Sequence, residues 1–554
     1  MPKDFIQKSL QLLLKRQTNI ISAAFVIMAT IIFSQLLGLV RQRLLVSIFG
    51  PSNTLGVYFA STKLPDFLFQ LIIAGALSSA FIPVFSDFLK EGKDAEGHKM
   101  ASVFISISVF IFLILSGVLF ILAPTFLKVL NPGKGFSPQD MDLMVSLMRI
   151  ILFGQLLFVV GIFFQALLQS YNHFFISGFA AALYNLGMII GILTLSSYVG
   201  IASAAYGVIL GAFIFIIVQL PMVYKMGFSF RPGLSLKTKG VLDVFRLMIP
   251  RTISIGVFQA GSIITIALVS YLSNPGRNYV IFDYAQTLAF APIVLFGQAI
   301  AQAAFPVLAR ERNNLENFKS IFTTSFNQML FLILPVSALL LVLRIPIVRL
   351  IYGASQFDWE ATVLTGKTLA FFSISLFAQA LIYLVSRGFY ALHDTKTPLI
   401  IGTVTTVITI LFGFLFIIYF KFGIESIAFA YSISSVLNLF ISMIFLDLKT
   451  KGFNRRMLVF PVFKIFAATF FTGFALYIPI KLLDQLVFDT TKTINLLLLT
   501  GISSFSGLSL YIFLSWLFNV KEAQIFILIF KKIGNWREVL SKSEEMIDGS
   551  RLKT

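Results

Sequence analysis

Windows of roughly 20 apolar residues recur about fourteen times along this chain, each long enough to cross the hydrocarbon core of a bilayer as a helix. Lipid offers the backbone no hydrogen-bond partners, so only α-helices and closed β-barrels span it. Windows this long suit transmembrane helices. They predict an all-α polytopic membrane protein with spans near 20–42, 55–86, 101–123, 143–168, 174–198, 200–224, 243–271, 283–307, 319–343, 361–386, 398–419, 424–446, 458–480 and 494–518. The composition agrees, because only 12% of the 554 residues are charged and 58% are hydrophobic, 63 of them Phe. A soluble domain has about a quarter of its residues charged. The first window is too long for a signal-peptide core and runs on without a small-residue cleavage site.

A formal charge of +19 in a soluble protein would suggest nucleic acid. In a membrane protein it is first a topology signal, because Lys and Arg collect in cytoplasmic loops. When loops are assigned to alternate sides, one side takes Lys3, Lys8, Lys15 and Arg16, the 90–99 lysines, and the cations of 225–246. It also takes Arg310, Arg312 and Lys319, those of 449–456, and the tail from Lys521. The other side keeps only scattered cations such as Lys128, Lys134, Arg277, Lys421 and Lys481. The ratio, roughly 3 to 1, predicts an even span count with both termini in the cytoplasm. Residues 1–19 then form a cytoplasmic segment, 225–242 a cytoplasmic loop, and 519–554 a cytoplasmic tail with an interfacial helix near 521–540. Part of the basic excess is expected to attract anionic lipid headgroups.

Two stretches repeat. Leu68–Phe88 (LFQLIIAGALSSAFIPVFSDF) aligns with Pro292–Glu311 (PIVLFGQAIAQAAFPVLARE) when Pro83 is laid on Pro306, an offset of 223 residues. Ser170–Phe174 (SYNHF) and Phe389–Asp394 (FYALHD) lie near the same offset. Six spans separate the repeats, so they share an orientation, as in transporters with parallel repeats. The expectation is two pseudo-symmetric six-helix lobes, 20–224 and 243–446, with a C-terminal pair at 458–518 bordering a groove for a lipid tail.

Enzyme chemistry finds no support. Ala361–Thr368 (ATVLTGKT) ends like a phosphate-binding loop, but Ala361 stands where that loop needs its first Gly. Cys is absent and the three His (His98, His173, His393) have no metal-ligand spacing. The informative groups are charges inside spans, each costing about 2.5–3.5 kcal/mol on insertion scales. Arg41, Lys63, Asp66 and Arg251 are the candidates for lining a central cavity. Lys63 and Asp66 stand three apart on one helix face and are expected to pair, with Pro65 breaking the helix between them. Cations there would suit a phosphate-bearing substrate.

Several motifs resemble one family. Phe33–Gly50 (FSQLLGLVRQRLLVSIFG) is similar to the first-span signature of the MurJ/MviN family, and VYFASTKLPDFLFQLIIAGALSSAFIPVF to its second span. Leu343–Pro398 carries the I-V-R-L, G-x-F-D-like and F-Y-A-L-x-D-T-x-T-P elements in the family's order. The resemblance covers nearly the whole chain. It implies a two-lobed, alternating-access member of the multidrug/oligosaccharidyl-lipid/polysaccharide exporter superfamily. It implies as substrate the lipid-linked peptidoglycan precursor, an undecaprenyl-pyrophosphoryl muropeptide moved from inner to outer leaflet of the bacterial cytoplasmic membrane. A cationic cavity would take the pyrophosphate. No cofactor is implied, and coupling would be to membrane potential, Na+ or H+. Asp243 and Asp394 stand near the family's acidic cation-site positions, and a helix-capping role is the competing expectation for both. Where the family carries charges, this chain has Gln35, Gln42, Phe69, Ala74, Gln286 and Ala289. Of the family's cavity arginines only Arg41 carries over, with Lys63 beside it. The alternatives are export of another lipid-linked oligosaccharide and, less well matched to fourteen spans, cation-coupled drug export.

Overall fold

The computed structural model describes residues 20–76, 80–353, 356–486, 489–490 and 492–523. Within these the secondary structure is helical, without strands. The first segment and most of the tail, where the cytoplasmic 1–19 and the interfacial helix were expected, lie outside the described residues. The long apolar runs of the described residues are helices because each backbone polar group is then bonded within its own segment.

The helices of the first stretch are α1 (Ile20–Phe49), α2 (Asn53–Ala76), α3 (Ile82–Lys90), α4 (Asp94–Ile121), α5 (Ala123–Val129), α6 (Pro138–Ser170), α7 (Phe174–Val199) and α8 (Ala202–Lys225). They continue with α9 (Val241–Val269) and α10 (Pro275–Pro292), a π-helical turn (Ile293–Gln298) and α11 (Ala299–Arg310). Then come α12 (Leu315–Val342), α13 (Arg344–Tyr352), α14 (Trp359–Ile374), α15 (Leu376–Ala391) and α16 (Lys396–Phe414), closed by a second π turn (Leu415–Tyr419). The last are α17 (Glu425–Lys449), α18 (Arg455–Leu486) and α19 (Thr493–Leu517).

Among the described residues, 11 helices are long and apolar enough to cross a membrane, or 12 if the bent pair α14–α15 is one span. The expected fourteen are compatible with this. The remaining two are α2, diluted by Lys63 and Asp66, and α9, which carries Asp243, Arg246 and Arg251. Many large apolar side chains stay exposed, Phe463 and Phe470 on α18 and Phe505 on α19 among them, as lipid-facing surfaces do.

Two local expectations are corrected. Pro65 does not break its helix: α2 runs unbroken through it. The proline removes a single N–H, the one that would reach the Ser61 carbonyl, and a membrane helix tolerates that loss where polar side chains line the same turn, as Ser61 and Thr62 do in donating to the Tyr58 and Phe59 carbonyls at 2.6 and 2.9 Å. Conversely, the single span expected at 361–386 is bent by 43° at Ser375. The bend is held by polar groups: Ser375 and Ser432 hydroxyls meet at 2.9 Å, Ser432 donates to the Phe371 carbonyl at 2.6 Å, and the Gln379 amide donates to Ser375 Oγ at 2.8 Å.

The chain divides into two compact units, residues 1–284 with 351–365 and 406–430, and residues 285–350 with 366–405 and 431–554. In the first unit, α7 and α8 pack through glycine. A Cβ on Gly187 would lie 2.6 Å from Gly211 Cα, and one on Gly191 2.6 Å from Gly207 Cα. Small residues four apart on both helices let the backbones touch, which is how helices associate in lipid. The second unit has its core where α12, α15, α18 and α19 meet, around Phe322, Leu330, Leu381, Phe389, Ile465 and Tyr511. There the Tyr511 hydroxyl donates to the Phe331 carbonyl at 2.7 Å.

The turns carry a regularity of their own. Left-handed residues occur at Gly50 and Asn274, at Asn172 and His393, and at Gly200 and Lys421, pairs spaced 224, 221 and 221 residues apart. The α6–α7 and α15–α16 turns also share a bond pattern. The amides of Asn172 and His173 donate to Gln169 and Leu168 carbonyls, and those of His393 and Asp394 to Tyr390 and Phe389.

Candidate functional site

Three of the four charges singled out in the sequence line one cavity of about 230 Å³ in the first unit. Arg41 comes from α1, Lys63 and Asp66 from α2, Gln155 from α6, Tyr184 and Met188 from α7, and Asp283 from α10. Arg251 lies on α9, but its side chain is outside the described residues.

Lys63 and Asp66 share a helix face, as their spacing requires, but do not pair with each other. Lys63 Nζ instead meets Asp283 Oδ1 at 3.1 Å, both side chains mostly buried, and lies 5.6 Å from the centre of the Tyr279 ring. Tyr279 and Asp283 stand one turn apart on α10, so one helix face supplies both the carboxylate and the ring. Asp66 accepts a hydrogen bond from Gln155 Nε2 at 2.8 Å. That bond fixes the amide's orientation and leaves Gln155 Oε1 buried, with no donor among the described residues.

Arg41 is held by neutral groups. Its guanidinium donates to Asn185 Oδ1 at 3.0 Å and lies 3.1 Å from Met188 Sδ. Asn185 in turn donates its amide to Ser34 at 3.3 Å, which orients its oxygen toward Arg41. Among the described residues no carboxylate stands within ion-pair distance of Arg41. The neighbouring Arg43 is exposed and donates to the Gly353 carbonyl at 3.3 Å.

The two acidic residues considered for a cation site have other placements. Asp243 is exposed in the first turn of α9, where a negative charge favours the helix dipole. Asp394 caps α16, accepting from the Thr397 N–H at 3.0 Å and its hydroxyl at 2.8 Å, and pairs with Lys449 at 2.5 Å. Burial pushes its carboxyl up, but Lys449 and Thr397 outweigh burial and hold it at about 2. Among the described residues, no group of three or more His, Cys, Asp or Glu could hold a metal ion.

Sequence reasoning missed Asp283, Asn185 and Gln155. Asp283 is the first residue of the span expected at 283–307 and carries no motif. Its four-residue spacing from Tyr279 was the signal available. Asn185 and Gln155 are uncharged and look like ordinary polar residues of a membrane helix.

Helices that cross the membrane around a charged, partly enclosed polar cavity define a multi-pass membrane transporter. The sequence pattern of the family described as "Lipid II flippase MurJ" matches residues 45–497. The chain therefore belongs to the lipid II flippase MurJ family. It is 26% identical over 442 residues to the "Probable lipid II flippase MurJ" of Buchnera aphidicola subsp. Acyrthosiphon pisum, covering 79% of this chain and 86% of that one. It is 28% identical over 438 residues to the one of Vibrio cholerae, covering 76% and 82%. In fold it matches a solved "Lipid II flippase MurJ, inward closed conformation" with TM-score 0.72 at 24% identity, over 89% of this chain and 98% of the other. A multidrug resistance MATE family transporter of the MOP superfamily, in an inward-facing conformation, matches with TM-score 0.62 at 16% identity, over 77% and 98%.

Proposed function

We propose that this protein is a lipid II flippase of the bacterial cytoplasmic membrane, moving undecaprenyl-pyrophosphoryl muropeptide from the inner to the outer leaflet for cell-wall synthesis. The observation that carries the reading, beyond family membership, is Arg41. It is a cation in a partly enclosed polar cavity, held among the described residues by neutral partners, beside Lys63. A pyrophosphate supplies the anion such a guanidinium lacks. Gln155 Oε1 adds an acceptor suited to a hydroxyl or amide of the headgroup. Growth of a strain depleted of its own flippase, rescued by this chain, tests the assignment. Failure to rescue at normal expression would sink it.

The lobes 20–224 and 243–446 are proposed to be a duplicated pair, supported by the left-handed turn residues at common spacing. The last two helices, with Phe463, Phe470 and Phe505 exposed, are proposed to receive the prenyl tail. The protein catalyses no bond-making in this reading, and transport couples to membrane potential, Na+ or H+. A second reading, export of another lipid-linked oligosaccharide, is favoured by one observation. Among the described lining residues, Asp66 and Asp283 equal Arg41 and Lys63 in number, which makes that lining less cationic than the family's pattern implies.

Both termini are proposed to be cytoplasmic, with anionic lipids contacting the basic loops. Reporter fusions after Lys237 and Arg455 are expected to report the cytoplasm, and one after Asp358 the outside. An outside signal at Arg455 would refute the count of fourteen.

A further inference from the structure

We propose that Asp283 is a built-in counter-ion for Lys63, which the substrate's pyrophosphate displaces on binding and which takes Lys63 back on release. The inference rests on the pyrophosphate reading above and adds a specificity-determining residue to it.

Among the described residues, the charges of the cavity are two cations, Arg41 and Lys63, and two carboxylates, Asp66 and Asp283. Each has a distinct first partner. Arg41 faces the neutral Asn185 and Met188, and Asp66 faces the neutral Gln155 amide. Only Lys63 and Asp283 are joined as an ion pair, at 3.1 Å with side chains 22% and 16% exposed. An anionic headgroup therefore finds Arg41 ready and Lys63 occupied. To gain its second cation it must take Lys63 from Asp283. A lysine suits that exchange, because its ammonium sits on a flexible stem and donates in three directions.

The exchange limits affinity in a useful way. A flippase must release what it binds, so an interaction that only deepens the bound state hinders turnover. When Lys63 turns to the phosphate, Asp283 is left as a carboxylate in a mostly buried wall, an unfavourable state. Its pull on Lys63 opposes tight binding and favours release. Tyr279, one turn away on the same helix, lies 5.6 Å from the ammonium in the paired state and keeps Lys63 close to Asp283.

The test uses the full chain in detergent with farnesyl pyrophosphate as probe, farnesol as the uncharged control and inorganic pyrophosphate as competitor. Wild type should bind farnesyl pyrophosphate but not farnesol, and R41A should lose most of that binding. D283N should bind roughly tenfold more tightly than wild type, because no ion pair is broken, while rescuing growth less well. K63Q should bind about tenfold more weakly, since Asp283 then faces the probe unpaired. K63Q/D283N, which leaves no lone charge in the wall and so guards against a folding failure of D283N, should recover to within about threefold of wild type. If wild type and R41A behave as stated but D283N binds no more tightly, or K63Q/D283N shows no recovery, the counter-ion role is overturned and the substrate reading stands. If wild type does not bind the probe, or inorganic pyrophosphate competes while the prenyl chain adds nothing, the lipid-pyrophosphate reading fails and this inference falls with it.

Discussion

Arg41→Ala is expected to abolish rescue of a flippase-depleted strain while the protein accumulates normally. The guanidinium is half-buried and anchored by Asn185 and Met188 at 3.0 and 3.1 Å, and Asn185 is itself braced by Ser34. It therefore presents a preorganised cation that no carboxylate among the described residues meets at ion-pair distance. Charge-assisted hydrogen bonds to such a group contribute about 1.5–3 kcal/mol each, so loss of a bidentate pair weakens headgroup binding by roughly a hundredfold or more. Folding should be little affected, because neither partner of Arg41 is a charge stranded by its removal. Arg41→Lys should rescue partly, since an ammonium keeps the charge but not the planar fork. Asn185→Ala, which frees the guanidinium to swing, should fall between wild type and Arg41→Ala. Rescue by Arg41→Ala at wild-type level would remove Arg41 from the site and pass its role to Lys63.

What the sequence disclosed, and what it hid, follows from range. Long apolar windows specify helices by themselves, because lipid leaves the backbone no other option, and so the all-α multi-pass class was legible. The bend at Ser375 was not, because its cause is Ser432, 57 residues away. Arg41, Lys63 and Asp66 were legible as candidates because charge in a span is costly wherever it sits. The pairing of Lys63 was not, because a three-residue spacing promises a local partner while the fold brings Asp283 closer from 220 residues away. Pro65 misled for a local reason: a proline removes only one helix hydrogen bond, and a membrane helix can run on through that loss.

The largest effect on folding is expected at the glycine seam of α7 and α8. A Cβ on Gly211 would lie 2.5 Å from the Tyr184 carbonyl oxygen and 3.0 Å from its ring. Side chains can turn aside, but a backbone oxygen can yield only if the helices part. Parting them forfeits the contacts that hold helices together in lipid, where no hydrophobic force replaces them. Overpacking in a dense core costs typically 1–3 kcal/mol, and more where backbone is involved. Gly211→Leu and Gly191→Leu should therefore fail to accumulate as monodisperse protein on size-exclusion in detergent. Gly211→Ala should accumulate with a lower melting temperature. Gly402→Ala, whose added Cβ meets nothing within 4 Å, is the matched control and should behave as wild type. The seam also reaches the site, for Tyr184 and Met188, which a Cβ at Gly211 or Gly207 would push, line the cavity. In Gly211→Ala, then, farnesyl pyrophosphate binding should weaken even in the fraction that folds, because Met188 and Asn185 no longer hold Arg41 in place. A Gly211→Leu protein that accumulates and melts like wild type would show that the helices do not meet there.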